Sequence, residues 1–288
     1  MPRTSTYAAR QPPAEKSEDP VTVLVTGFGP FLAKYPRNSS WDIASTLPAL
    51  LPATKDNPTP IHIHVYHEPI RVAYDTVTSL VPTLLPPNNP MYPSPDIILH
   101  IGLAAGREFF TLEKGAHGRG YDKIPDVDGG RFTDKAAEKL FPRSEFPPVL
   151  KTSFDVDDVL VRWRANLDPN ITAQTSSLER RVSDGRPDVR LSPDAGNFMC
   201  GFIYWNSLAH YFSIKEDERP VVFLHVPDLS YSQEALDQGR EVAVALIKAL
   251  VESKRRVGVV DGVERVVRKE SIDAMVADDR AGTDVNFA

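Results

Sequence analysis

Cysteine is nearly absent from this chain: Cys200 is the only one in 288 residues. That excludes an internal disulfide framework and suits a reducing compartment. Long apolar runs are missing as well, and none approaches the length of a membrane span. The first twenty residues, MPRTSTYAARQPPAEKSEDP, have no apolar core and do not read as a secretory signal. A cytoplasmic protein is expected, with the Asn-x-Ser/Thr sequons at Asn38 and Asn170 silent. Nor is there an excess of positive charge, since 33 Lys and Arg against 39 Asp and Glu leave a net charge of −6. Nucleic acid and anionic membrane are therefore poor candidates for the main partner. G-x-S-x-G, H-E-x-x-H and the P-loop do not occur, and GLAAG at residues 102–106 is too sparse for a dinucleotide fingerprint. No repeat period is visible.

What is present describes an ordinary globular protein. With 41% apolar and 25% charged residues, the chain is long enough to bury one sizeable core. Residues 1–20 read as a disordered segment, rich in Pro, Ser and charge. The run VTVLVT at residues 21–26 has the β-branched character of a buried parallel strand and ends in GFGPF, two aromatics beside two glycines. A helix is expected next, capped by Asn38, Ser39 or Ser40, with Trp41, Ile43, Ala44 and Leu47 inward. Further strands are expected at 61–66, 96–102, 109–113, 189–191 and 221–226, and helices at 71–81, 154–167 and 233–253. Residues 82–95 read as a proline-rich connection, 115–130 as an ordered loop or hairpin, and 169–187 as a polar mobile insertion. A charged tail covers 254–288, with a further helix near 263–277. Strands alternating with helices predict a single-domain, three-layer α/β/α sandwich around a mostly parallel sheet. In such sheets ligands bind beyond the carboxyl ends of the strands, where GFGPF, the loop after Gly102, the Cys200 turn and His225 are all expected.

Cys200 sits in DAGNFMCGFIYWNSL, residues 194–208, which reads as a turn opening into a helix. In a first helical turn, unpaired N–H groups and the helix dipole favour a thiolate. A lone cysteine is more often a small packing residue, so the assignment needs support from elsewhere. A cysteine nucleophile requires a base and a group that holds the base. His225 ends the strand VVFLHV just before Pro227, where its ring can reach over the rim. Glu113 closes the alternating segment FFTLE beside a glycine-rich loop. The rival cluster His62, His64 and His67 has metal-like spacing, but on a strand His67 faces away from the other two.

Taken together, GFGPF followed by NSSW, then HIGLAAGR, FFTLEKGAHGRGYDKIPD, SPDAGNFMCGFIYWNSL and VVFLHVPDL resemble the pyroglutamyl peptidase I family, also called pyrrolidone-carboxylate peptidases. The resemblance runs in order over about residues 21–253, taken as the peptidase domain, and leaves out apparent insertions near 82–95 and 134–187. It implies a cysteine peptidase that removes an N-terminal pyroglutamyl residue from peptides, with no metal or organic cofactor. The family's cysteine, histidine and glutamate fall on Cys200, His225 and Glu113. Its pocket phenylalanines fall on Phe28 and Phe31. Bacterial members often carry glutamine at the position of Leu103 and arginine at that of Lys123. Homo-oligomerisation is compatible with the sequence. The alternative reading is a protein that binds blocked peptide N-termini without turning them over. A metal-dependent hydrolase built on the His62 cluster ranks third.

Overall fold

The computed structural model describes residues 18–31, 36–55, 57–90, 93–167 and 187–260. The expected N-terminal disordered segment lies outside them apart from residues 18–20. So do the polar segment 169–187, except residue 187, and the helix near 263–277.

A seven-stranded sheet forms the centre. Its spatial order is β2 (Leu50–Leu51), β3 (Ile61–Val65), β1 (Val21–Thr26), β4 (Ile97–Leu103), β9 (Val221–Val226), β5 (Phe110–Glu113) and β8 (Val189–Ser192). The pairs β1/β3, β1/β4, β4/β9 and β5/β8 are parallel, whereas β2/β3 and β5/β9 are antiparallel. The sheet is thus mostly parallel and changes direction once inside it, between β9 and β5. That reversal corrects the expectation that every site-bearing loop leaves a carboxyl strand end on one rim. The Cys200 turn follows β8, which runs against β9, and the chain returns across a face of the sheet.

Helices cover both faces, giving three layers. On one side, α1 (Ser39–Ala44), α4 (Val156–Leu167) and α6 (Gln233–Arg256) bury Ile43, Trp163, Leu246 and Leu250 against Val23, Leu99, Leu112 and Leu224. On the other side, α2 (Tyr74–Leu84) and α5 (Met199–Ile214) pack Val77, Val81, Phe202 and Leu208 against Leu24, Ile98 and Phe223. The strand runs look continuously apolar because both faces are covered. Their period of two still decides which side chain meets which layer. In β5, Phe110 and Leu112 face the α4/α6 layer, which turns Thr111 and Glu113 toward α5. In β9, Val222, Leu224 and Val226 take the same layer, which turns His225 toward α5.

Local differences from the sequence reading have physical causes. Helix α2 begins at Tyr74 rather than 71 because its cap is tertiary. Ala73 offers no capping side chain, and the Tyr74 N–H donates to Asp126 Oδ2 at 2.9 Å from 52 positions away. The helix runs through Pro82 to Leu84, where buried Leu84 and Leu85 reward the extra turn. Helix α3 (Asp134–Leu140) buries only Ala137, so it shows no apolar stripe, although Thr133 caps it by accepting from the Ala136 N–H. The glycine-rich segment contains β6 (Gly115–His117), which pairs antiparallel with β7 (Val149–Lys151) as a separate two-stranded sheet. The edge strand β2 is two residues long and carries no readable pattern.

Candidate active site

The register of three strands and one helix start assembles the site. His225 on β9 pairs with Gly102 of β4 on one side and Thr111 of β5 on the other. Glu113 is paired with Phe223 and is therefore the diagonal neighbour of His225 on the same face. Its Oε1 lies 2.7 Å from His225 Nδ1, so the ring donates there and turns Nε2 toward the pocket. Both side chains are buried. Cys200 stands in the first turn of α5, next to the His225 ring, whose charge its sulfur influences.

Two close approaches hold the cysteine in place. A Cβ at Gly102 would come within 2.5 Å of the Phe223 ring and 3.0 Å of Cys200 Sγ, so glycine leaves the sulfur room over β4. A Cβ at Gly201 would fall 1.9 Å from the Gly196 carbonyl oxygen, and Gly196 itself has φ +79°. The DAGNFMCG segment thus folds back onto the start of its own helix. Helix α5 has no side-chain cap, and its first internal bond runs from the Phe202 N–H to the Phe198 carbonyl. The N–H groups of Met199, Cys200 and Gly201 stand outside that ladder, at the positive end of the helix dipole.

The protonation pattern separates two buried histidines on the same face. His100 bonds Thr26 Oγ1 through Nδ1 at 2.8 Å and Ser207 Oγ through Nε2 at 2.9 Å. Burial, with no charged partner, pushes it down to about 3, so it is a neutral core residue tying β1 and β4 to α5. Burial is also the largest influence on His225 and also lowers it. The Cys200 sulfur and the Glu113 carboxylate outweigh that effect and raise the ring to about 9. For Glu113, burial acts upward, but His225 and Arg107 hold it below its ordinary value. The two groups therefore favour an imidazolium facing a carboxylate.

A pocket of about 500 Å3 opens in front of these residues. Phe28, Phe31, Cys200 and His225 line it, whereas Glu113 is hidden behind His225. Phe28 is buried, bridges to Ile70 and donates from its N–H to Ser40 Oγ at 3.0 Å. Phe31 is half-buried and lies 6.3 Å, centroid to centroid, from the Phe198 ring. Phe198, a third aromatic wall that sequence reasoning missed, sits two residues before Cys200. Asn38 also lines the pocket and fixes the first loop: its amide donates to the Gly29 carbonyl at 2.8 Å, and its oxygen accepts from the Ser40 N–H and hydroxyl. The His62, His64 and His67 side chains do not converge, and among the described residues no group of three His, Cys, Asp or Glu could hold a metal ion.

Curated proteins give a consistent comparison. Human pyroglutamyl-peptidase 1 is 28% identical over 228 residues, covering 79% of this chain and 89% of that protein. The pyrrolidone-carboxylate peptidase of Bacillus cytotoxicus is 23% identical over 214 residues, covering 72% and 79%. The chain is similar to the pyroglutamyl peptidase I family. No protein-family model matches it. Among solved structures, the pyrrolidone carboxyl peptidase of the hyperthermophile Pyrococcus furiosus aligns with a TM-score of 0.56 at 21% identity, covering 81% of this chain and 99% of that one. A mutant of the same protein gives 0.57 at 20% identity. At such identities the likeness is one of fold. Against this family background, Leu103 and Lys123 both line the pocket, so the two departures from the bacterial pattern fall on its wall. Arg107 and Thr111, for which the sequence reading had no role, both touch Glu113. The available signal for Thr111 was its place two residues before Glu113 in an alternating strand.

Proposed function

We propose that this chain is a cysteine peptidase that hydrolyses the amide bond after an N-terminal pyroglutamyl residue. The observation that carries this reading is the Glu113–His225 hydrogen bond directed at the single cysteine beside an aromatic pocket. Cys200 Sγ attacks the pyroglutamyl carbonyl carbon as a thiolate, and its proton resides on His225. The oxyanion that forms is met by N–H groups at the start of α5. His225 Nε2–H protonates the departing amine as the C–N bond breaks, leaving a thioester. His225 then takes a proton from water, which attacks the thioester and releases pyroglutamate and the thiol. Glu113 holds the ring through Nδ1 and stabilises the imidazolium at both stages.

The pocket suits the substrate. Pyroglutamate is small, flat and uncharged, so aromatic walls bind it without a buried charge to satisfy. Phe31→Ala is the cleaner probe of that wall, because Phe28 also belongs to the core. We expect Phe31→Ala to weaken substrate binding by about 1–3 kcal/mol, seen chiefly in KM, with folding intact. A free N-terminal glutamine brings an ammonium group that must lose its water beside apolar rings, so it is rejected more strongly. Competition between pyroglutamyl-alanine and glutaminyl-alanine, run with and without a chelator, tests the reading. A large kcat/KM preference for the pyroglutamyl peptide, insensitive to chelation, is expected. Comparable values for the two peptides would defeat it, and loss of activity on chelation would favour a metal hydrolase.

The proposed pair also has a pH signature. His225 is raised from 6.5 to about 9, so the stability it contributes is fully present below pH 6.5 and is lost as pH rises through about 9. Urea unfolding between pH 6 and 9.5 should show a falling midpoint over that window, and kcat/KM should fall on the same alkaline limb. The slope should disappear in His225→Gln.

A further inference from the structure

The hydrogen bonding around Glu113 is more crowded than a simple histidine partner requires. Three donors reach the same oxygen, Oε1: His225 Nδ1 at 2.7 Å, Thr111 Oγ1 at 2.8 Å and Arg107 Nη1 at 2.9 Å. Arg107 Nη1 also donates to Thr111 Oγ1 at 2.5 Å, so guanidinium, hydroxyl and carboxylate form one closed triangle. The Arg107 side chain is only 13% exposed and reaches the pocket wall. Burying a guanidinium is costly, and the cost is met only by a partner held in good geometry. The chain supplies that geometry through a tight connection. The Ala104 N–H donates to the Val226 carbonyl, next to His225, and the Arg107 N–H donates back to the Ala104 carbonyl at 2.9 Å. The loop carrying Arg107 is thereby fastened to the strand that carries the histidine.

We propose that Arg107 is a positioning residue, which locks the Glu113 carboxylate onto His225 and divides its charge between guanidinium and imidazole so that the ring can release its proton during the reaction. This rests on the Cys200–His225–Glu113 reading above. With Arg107 in place, Glu113 stays ionised and keeps one rotamer. A carboxylate wholly devoted to the imidazolium would hold its proton too tightly to deliver it to a leaving amine. The charged and titratable neighbours of the pair are few. Cys200 and Tyr204 come from α5, Tyr204 donating to the Glu113 backbone carbonyl at 3.1 Å. His117, Asp194 and Lys123 line the pocket beyond, with His117 paired to Asp194 at 3.4 Å. Arg107 alone among the described residues is a permanent cation in contact with the Glu113 side chain.

The test compares Arg107→Gln and Arg107→Lys with the wild-type enzyme. Removing the guanidinium takes away a positive charge near the imidazolium and leaves it an undivided carboxylate, so the proton is held more strongly. For Arg107→Gln we expect kcat to fall about 10- to 100-fold with KM within about threefold of wild type. The alkaline limb of its pH profile should move up by about one unit. Arg107→Lys keeps the charge and should leave that limb in place while restoring part of kcat. The same inflection is readable without turnover, from the pH dependence of iodoacetamide alkylation of Cys200, the only thiol in the chain. A rise in KM with kcat unchanged would overturn the proposal in favour of direct substrate binding. Lost stability with an unmoved limb would reduce Arg107 to a structural ion pair. Should Arg107→Gln fail to fold, a one-unit limb shift in Arg107→Lys would equally overturn it. Absence of pyroglutamyl turnover in the wild type would defeat the activity reading, while the alkylation inflection would still decide the role of Arg107.

Discussion

Cys200→Ala and Cys200→Ser are expected to fold and to lose turnover of a pyroglutamyl amide by at least about 10^4-fold. No other thiol exists to take over the attack. A serine hydroxyl beside an imidazole matched to a thiolate ionises far less readily than cysteine. Cys200 is only half-buried, so the alanine variant should change stability by no more than about 1 kcal/mol. A packing cysteine predicts the reverse: reduced thermal stability with activity retained. Measuring unfolding and turnover on the same two variants separates the cases.

Glu113→Gln should lower kcat by about 10^2- to 10^4-fold while KM changes little, because an orienting carboxylate acts on the imidazolium formed during reaction. The change should also be costly to the fold. The amide takes the Glu113 carboxylate away from a buried histidine and from the Arg107 guanidinium. Breaking a buried pair in this way costs on the order of 3–5 kcal/mol. Burial, the largest influence on His225, then acts with less opposition, so the alkaline limb should move down from about 9. That direction is opposite to the one expected for Arg107→Gln, and the pair of variants tests the sign of the electrostatics twice. A pure KM effect in Glu113→Gln would move the residue from the proposed triad to substrate binding.

The parts of the fold legible in the sequence were those with dense local patterns. VTVLVT and VVFLHV are strands because both faces of the sheet are covered, and the leucine and alanine stripe of α6 marks a helix over most of its length. Contacts over long separations were not legible. Asp126 caps the start of α2 from 52 positions away, and α3 buries too little to leave a stripe. The direction of β5 was the consequential miss. Only residues 104–109 separate β4 from β5, fewer than the dozen or so that a parallel crossover needs. That short link was the available sign of a reversal, and the reversal is what sets Thr111 beside His225 and Glu113 on its diagonal. Cys200, His225 and Glu113 are legible together, because each is expected near one site; taken singly, none carries the assignment. Arg107 is not, since an arginine after GLAAG reads as a solvated loop residue until the register brings it to the carboxylate.

The most direct measurement uses the single thiol. Wild-type protein is treated with increasing iodoacetamide, and turnover of a pyroglutamyl amide is followed against the fraction of Cys200 modified by intact mass. Activity should fall in strict proportion to modification and reach zero at one equivalent per chain, with a pyroglutamyl peptide present in excess slowing both. Fully alkylated protein that still cleaves the pyroglutamyl amide would contradict the account.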